Sequence, residues 1–298
     1  MSAPVRIVTY NIQYSRGKDG EFDLARIADT VRSADIIGLQ EVTRHLPPAP
    51  DDDQPAVLEG LLGEFYCVYG APADMDASTV GDNGVVLNRR RQFGNMLFSR
   101  WPIASMRLQL FPRIRTFDVL SLQRGALEAV IDHPDGPLRV YVVHLEHLLE
   151  RRRVEEVGHL LDFAFAAERH GTAATGPARI MGRSPAVPAE FIVLGDCNML
   201  PGSPAYIRMT GAPDYYYGPT MTSDHLVDTW PLVGREITDG ITWWDESTNF
   251  ESGTRLDYLF VTPGLADAVV AAGIDEQAAG SDHQPVWIDL DVSRLSAP

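Results

Sequence analysis

The sequence predicts an α/β fold, in which buried strands alternate with amphipathic helices. The chain has 298 residues and a hydrophobic fraction of 45%, which is ordinary for a globular protein and can fill a large core. Six short apolar runs, several of them β-branched, have the length and composition of buried strands. Between the first two runs, the segment from Asp23 to Arg32 places its apolar residues at the spacing of one helix face.

Each strand-like run delivers a polar or ionisable residue close to one end. The central example runs from Phe191 to Leu194 and continues through Gly195 to Asp196 and Asn198. Because alternate residues of an extended chain project to the same side, this carboxylate and carboxamide leave the strand end together. The other runs are Ile7 to Asn11, Ile36 to Glu41, Val140 to His144, Leu256 to Val261 with Asp257, and Pro285 to Leu290 after Asp282 and His283.

The repetition of this pattern predicts a shared polar site. A turn in which Asp or Asn hydrogen-bonds its own backbone explains any one strand end equally well. An unpaired buried carboxylate is costly, however, so six independent accidents are a poor explanation for the whole set.

The connecting segments have their own signals. Helices are predicted from Val57 to Gly63 and from Leu148 to His170, and a strand is predicted around Tyr66 to Tyr69. The segment from His45 to Pro55 is rich in Pro and Asp and predicts a surface loop. The stretch from Gly171 to Pro188 is rich in Gly, Ala and Pro and predicts an exposed linker.

Charge and cysteine content narrow the class of protein. The formal net charge is −16, which is unfavourable for binding duplex DNA, since that affinity comes largely from neutralised phosphates. Lys18 is the sole lysine, and the other basic residues are arginines. Cys67 and Cys197 form no disulfide framework, so both are expected to be reduced. With no membrane span or signal peptide in the sequence, a cytoplasmic location is predicted.

Seven short blocks, in this order along the chain, resemble the endonuclease/exonuclease/phosphatase superfamily. These metal-dependent hydrolases are related to pancreatic-type DNase, abasic-site endonucleases, sphingomyelinases and inositol polyphosphate 5-phosphatases. The blocks are Thr9-Tyr10-Asn11-Ile12, Leu39-Gln40-Glu41, Gly94 to Arg100, Val143-His144-Leu145, Gly195 to Asn198, Arg255 to Tyr258 and Ser281-Asp282-His283. The resemblance implies one catalytic domain over residues 1–298. It also implies a DNase-like four-layer sandwich of two mixed β-sheets flanked by helices, with the site at one edge.

The resemblance implies hydrolysis of phosphoesters with Mg²⁺, for which Mn²⁺ can substitute. An oxygen-rich donor set suits such an ion. Glu41 is the expected principal metal ligand, with Asn11 and Asp282 supporting the same ion. Asn95 either holds a loop of the site or contacts the substrate phosphate.

The remaining motif residues have expected catalytic roles. His283, oriented by Asp257, acts as general base or stabilises the charged phosphorane, and Asp196 competes for the role of base. Asn198 orients a phosphate oxygen. His144 contacts the phosphate or assists the leaving group.

The sequence is least informative about the substrate. The acidic charge and the aromatic loops favour a small-molecule or lipid-headgroup phosphodiesterase or phosphatase. A DNA or RNA endo- or exonuclease is the alternative, and an inactive binding protein on the same fold is a third interpretation. Tyr215 to Tyr217 and Trp243-Trp244 either wall the substrate or pack two loops. The basic run Asn88 to Arg91 is either a solvated loop or a phosphate-facing lip. The oligomeric state stays open.

Overall fold

The computed structural model describes residues 3–50, 52–171, 173–175 and 187–296. Its strands are β1 Val5–Asn11, β2 Ile36–Arg44, β3 Tyr66–Asp76, β4 Thr79–Val80, β5 Val86–Leu87, β6 Arg90–Ser99, β7 Ile103–Leu110, β8 Gly125–Ile131, β9 Leu138–His144, β10 Phe191–Asp196, β11 Val227–Asp228, β12 Trp243–Trp244, β13 Gly253–Thr254, β14 Asp257–Val261, β15 Val269–Ile274 and β16 Val286–Leu290. Its α-helices are α1 Leu24–Val31, α2 Gln54–Leu61, α3 Glu150–Phe165, α4 Ala167–His170, α5 Pro204–Thr210 and α6 Thr229–Leu232. No helix among these described residues is both long and apolar enough to cross a bilayer.

Two mixed six-stranded sheets bring the predicted strand ends to a common edge. The first has the order β15-β16-β1-β2-β6-β3, and the second has the order β11-β14-β10-β9-β8-β7. In the first sheet β1 is parallel to β2 and antiparallel to β16; in the second, β10 is parallel to β9 and antiparallel to β14. The strands that end in polar residues therefore finish where β14 and β16 begin.

Three layers of buried apolar side chains separate four layers of secondary structure, which confirms the predicted four-layer sandwich. Between the sheets, Ile7 of β1 and Ile36 of β2 belong to the same buried cluster as Val140 of β9. Helices α1 and α2 cover the outer face of the first sheet, and α3 covers the outer face of the second. The helix predicted from Asp23 to Arg32 is α1, and the Asp23 carboxylate caps it by accepting from a backbone N–H of its first turn.

Two helix boundaries differ from the prediction for local reasons. The helix predicted from Val57 to Gly63 begins at Gln54, because the Asp53 side chain caps it and Pro55 suits its first turn. The predicted loop from His45 to Pro55 is therefore two residues shorter and ends at Asp53.

The prediction of one helix from Leu148 to His170 is also wrong. Ala166 has ψ of −2°, far from the helical value of about −42°, and it separates α3 from α4. The predicted strand around Tyr66 extends to Asp76. Within the predicted linker, residue 172 and residues 176–186 lie outside the described residues.

One carboxyl on α3 makes the stability of the protein depend on pH. Glu156 is buried, its Oε2 accepts from the backbone N–H of Glu146 at 2.8 Å, and burial raises its pKa from 4.5 to about 7. A folded-state pKa above the unfolded value means stability that is present below pH 4.5 and lost as the pH rises through 7.

We therefore expect Glu156→Gln, which keeps the acceptor and removes the charge, to become more stable relative to wild type as the pH rises. The gain between pH 5 and pH 8 should be about 2 kcal/mol, since one pKa unit corresponds to about 1.4 kcal/mol. Urea unfolding at both pH values measures it. Asp162→Asn changes an exposed carboxylate of the same helix and should show no such trend; an equal trend there would contradict the assignment to Glu156.

Candidate active site

Most of the predicted polar strand ends line one cleft of about 600 Å³ at the edge of the sandwich, and Asn11 and Asp257 contact its lining residues. Asn11, Glu41 and His283 come from the first sheet and its flanks, whereas His144, Asp196 and Asp257 come from the second. The lining consists of Gln13, Tyr14, Glu41, Arg124, His144, His147, Asp196, Asn198, Trp243, Thr254, Leu256, Asp282 and His283. The cleft therefore lies where both sheets contribute side chains.

Unusual backbone conformations direct the strand ends into the cleft. Gly195 has φ of 150°, and a Cβ there would lie 1.9 Å from the carbonyl oxygen of Val143, so only glycine fits between β10 and β9. Glu41 has φ of 60° where the pairing of β2 with β6 is irregular, and Asn198 has φ of 50°. Such left-handed conformations in non-glycine residues occur preferentially at functional sites.

Asn11 links the two sheets inside the site. Its Nδ2 donates to Asp196 Oδ2 at 2.9 Å and to Glu41 Oε1 at 3.3 Å, and it lies 3.4 Å from His283 Nε2. Its Oδ1 accepts from the backbone N–H of Gln13 at 3.0 Å. The amide nitrogen thus faces the carboxylates, an arrangement that suits a donor orienting Glu41 and Asp196. The role of Asn11 as a metal ligand stays a prediction.

His283 and Asp257 form the closest ionic pair in the cleft. His283 Nδ1 lies 2.8 Å from Asp257 Oδ2, and both side chains are buried. Burial lowers the pKa of His283, but the nearby charges of Asp257 and Asp196 outweigh that effect and raise it. The carboxylate thus fixes the ring orientation and leaves Nε2 directed towards Asn11 and Asp196.

Asp196 and His144 face each other across the ends of β10 and β9. His144 Nε2 lies 3.3 Å from Asp196 Oδ2 and 3.9 Å from Glu41 Oε1. Burial raises the pKa of Asp196, while burial and the charge of Arg124 lower the pKa of His144. Asn198 holds Asp196 through its backbone N–H, which donates to Oδ1 at 2.9 Å, and directs its own Nδ2 towards the carbonyl of Leu145 at 3.1 Å.

Glu41 and Asp282 are carboxylates that fit a hard divalent cation. The Glu41 side chain is 20% exposed to the cleft, and burial raises its pKa, which favours a positive partner. Asp282 also lines the cleft, and its Oδ2 accepts from the Trp243 indole at 3.1 Å. A buried group of Asp196, Asp257 and His283, with ligand atoms within 4.8 Å of one another, contributes two more carboxyl groups. This oxygen-rich set is the kind that Mg²⁺ and Mn²⁺ prefer.

The other predicted substrate contacts lie differently. Asn95 is buried outside the cleft lining, where its Nδ2 donates to the backbone carbonyls of Val142 at 3.1 Å and Gly125 at 3.4 Å. This position supports the structural alternative, in which Asn95 ties β6 to the second sheet. Trp243 lines the cleft, whereas Tyr215 to Tyr217 are exposed and do not line it.

Arg90 and Arg91 belong to β6 rather than to a loop. Arg90 pairs with Asp74 on β3 at 2.8 Å, and Arg91 donates to the carbonyl of His45. Neither arginine lines the cleft.

Arg124 lines the cleft but was not among the site residues predicted from the sequence. It lies immediately before β8, and its Nη2 lies 3.2 Å from His147 Nδ1 in the cleft lining. Nη1 is buried without a hydrogen-bond partner among the described residues. Its position at a strand start is the signal that could have found it, because the antiparallel pairing of β8 with β9 places it beside the end carrying His144.

Comparisons with known proteins agree with this arrangement. A family model described as Endonuclease/Exonuclease/phosphatase family matches residues 8–283, and a search of curated proteins finds no match. An endonuclease/exonuclease/phosphatase from Beutenbergia cavernae is 25% identical, with a TM-score of 0.63 over 97% of this chain and 72% of that one.

Two solved structures of lower identity share the fold. Truncated TDP2 from Caenorhabditis elegans is 16% identical, with a TM-score of 0.55 over 96% of each chain. The 3'-5' exonuclease (NExo) from Neisseria meningitidis is 18% identical, with a TM-score of 0.56 over 96% of this chain and 100% of that one. The family match extends from β1 to His283 and so includes every strand end that lines the cleft. This chain belongs to the Endonuclease/Exonuclease/phosphatase family.

Proposed function

We propose that the protein hydrolyses phosphoester bonds with a divalent cation, Mg²⁺ or Mn²⁺, and that its substrate is a small phosphodiester or phosphomonoester, including lipid headgroups. The observation that carries this proposal is the meeting of His283, which is paired with the buried Asp257, with Asp196 and Glu41 in one cleft. Glu41 and Asp282, with Asn11 as the third predicted ligand, would hold the cation. When bound, the cation neutralises charge on the phosphate and helps to ionise water.

The protonation states favour distinct roles for the two candidate bases. The raised pKa of His283 keeps its imidazole protonated at neutral pH, which suits a donor to a non-bridging phosphate oxygen. The raised pKa of Asp196 suits a base that takes a proton from the attacking water. The water oxygen bonds to phosphorus as the ester P–O bond breaks, and the leaving oxygen takes its proton from solvent in the open cleft.

The two remaining motif residues then act as hydrogen-bonding groups. The lowered pKa of His144 keeps it neutral, so it contacts the phosphate without supplying a proton. Asn198, which lines the cleft, is the predicted residue to orient a phosphate oxygen. Asn95 holds the backbone behind them.

Arg124 is the cation best placed for the substrate phosphate. Its Nη1 has no partner among the described residues, and a charge-assisted hydrogen bond contributes about 1.5–3 kcal/mol. We expect Arg124→Ala to lower kcat/KM about 10- to 100-fold, mainly through KM. Arg100→Ala is the matched control. Arg100 follows the end of β6 that lies away from the cleft, so its loss should leave kcat and KM unchanged. Unchanged kinetics of Arg124→Ala would remove this residue from phosphate binding.

A substrate panel tests the proposed class. Bis-nitrophenyl phosphate, a lysophospholipid, plasmid DNA and an abasic oligonucleotide should be compared by kcat/KM with Mg²⁺ at two salt concentrations. We expect the small esters to be preferred, because each additional phosphate of a long polyanion needs its own cation on a chain of net charge −16. A higher value on DNA that falls steeply with salt would establish the nuclease alternative. No turnover on any substrate would support the inactive binding protein.

A single catalytic domain over residues 1–298 and a cytoplasmic location remain predictions. Limited proteolysis that releases a smaller active fragment would contradict the first. Cell fractionation tests the second.

A further inference from the structure

Large apolar side chains are exposed on three connections that border the cleft. Phe117 is 90% exposed, Leu120 is 77% exposed and Val80 is 69% exposed. We call the whole set the apolar rim: Val80, Val85, Val86, Leu87, Ile114, Phe117, Val119, Leu120, Leu148 and Leu149. Side chains of this size scattered singly on a surface need no explanation, but a contiguous group marks an interaction site.

Strand register places the three connections at the same edge of the sandwich. The 111–124 loop joins Leu110 to Gly125, which are paired where β8 begins beside the end of β9. The 145–149 segment continues from that end of β9. The 77–89 hairpin extends β3 and β6 beyond the irregularity opposite Glu41, on the cleft side of the first sheet. The rim therefore lies along the side of the cleft that carries Arg124, His144 and His147.

The 111–124 loop carries a charge opposite to that of the chain. It contains three arginines and one carboxylate, although the chain carries −16. Two arginines anchor this loop: Arg113 donates to the carbonyl of Ser121, and Arg152 of α3 donates to the carbonyl of Pro112. Arg115 lies 5.9 Å from the centre of the Phe117 ring, so a cation accompanies the most exposed apolar side chain.

Exposed aliphatic side chains with arginines nearby favour a lipid bilayer over single-stranded nucleic acid as the binding partner. Binding of single-stranded nucleic acid relies on aromatic side chains that stack on bases, and Phe117 is the sole aromatic residue of the rim. Apolar side chains that enter the headgroup region, with arginines beside lipid phosphates, are the features that hold peripheral proteins on anionic bilayers.

We propose that the apolar rim docks on the surface of an anionic lipid bilayer. The apolar side chains enter the interface, the exposed Arg113 and Arg115 contact lipid phosphates, and the cleft opening faces the headgroups. This inference goes beyond the proposed hydrolysis, because docking needs neither the cation nor turnover.

Vesicle co-sedimentation in EDTA tests docking separately from catalysis. We expect the protein to sediment with vesicles of phosphatidylcholine and phosphatidylglycerol, and much less with phosphatidylcholine alone. Phe117→Ser combined with Leu120→Ser should lower the partition coefficient about tenfold or more, because two inserted apolar side chains are lost. Tyr66→Ser is the matched control: Tyr66 is 52% exposed at the opposite end of β3 and should bind vesicles like wild type.

A charge-reversed variant tests the same proposal independently, in case the double serine variant misfolds. Arg113→Glu with Arg115→Glu should weaken binding to anionic vesicles at least tenfold and leave turnover of bis-nitrophenyl phosphate within twofold. The proposal is overturned if wild type does not bind anionic vesicles, or if both rim variants bind them like wild type. It is also overturned if the rim mutations abolish self-association, or binding to a single-stranded oligonucleotide, and leave vesicle binding intact.

Discussion

His283→Ala is expected to lower kcat about 10³-fold and to leave KM within a few-fold. The imidazole stands 2.8 Å from Asp257, and the two nearby carboxylates raise its pKa, so its charge is available to the phosphate oxygens in the transition state. An interaction that strengthens in the transition state affects kcat more than substrate affinity. Steady-state kinetics with bis-nitrophenyl phosphate at saturating Mg²⁺ measures both constants.

Asp257→Asn separates the charge of the pair from its geometry. The amide keeps the size of the side chain but removes the charge that fixes the imidazole tautomer, so we expect a loss in kcat of about 10²-fold or more. His170→Ala and Asp162→Asn alter an exposed histidine and an exposed carboxylate and should behave like wild type. If Asp257→Asn retained wild-type kcat while folding normally, another residue would have to orient His283.

The central part of the site could be predicted because it follows from strand geometry. Asp196, Asp257 and His144 each end or begin an apolar run, and parallel or antiparallel pairing carries such positions to one edge whatever the loops do. The fold class followed from the same runs and from the ordered blocks that resemble the family. Glu41 could be predicted for the same reason, although its left-handed backbone conformation could not.

Features that depend on tertiary contacts could not be predicted from the sequence. The direction of the Asn11 amide is set by the backbone N–H of Gln13. Gln13 lies in a turn with positive φ, and the residue types there do not predict such a turn. Arg124 matches no motif, and its importance comes from its contact with His147 and from its own Nη1, which has no hydrogen-bond partner among the described residues. The exposure of Phe117 was equally hidden, since an apolar residue in a sequence is expected inside.

Glu41→Gln is expected to lower turnover by about 10²-fold or more and to weaken the response to Mg²⁺. The substitution keeps the size of the side chain and its contact with Asn11, but it removes a carboxylate from the predicted cation ligands. A Mg²⁺ titration of activity should shift to higher concentration in the variant, and wild-type activity should vanish with EDTA. Calorimetric titration with Mn²⁺, without substrate, should show weakened binding in the variant.

Glu59→Gln is the control for this charge, because Glu59 is an exposed glutamate on α2. It should match wild type in turnover and in Mn²⁺ affinity. Glu41→Gln should also raise the free energy of unfolding in EDTA, since burial raises the pKa of Glu41 and makes its ionised form costly without a cation. Full activity of Glu41→Gln in chelator would contradict the cation model, whereas lost activity with unchanged Mn²⁺ affinity would move the cation to Asp282 and Asp196.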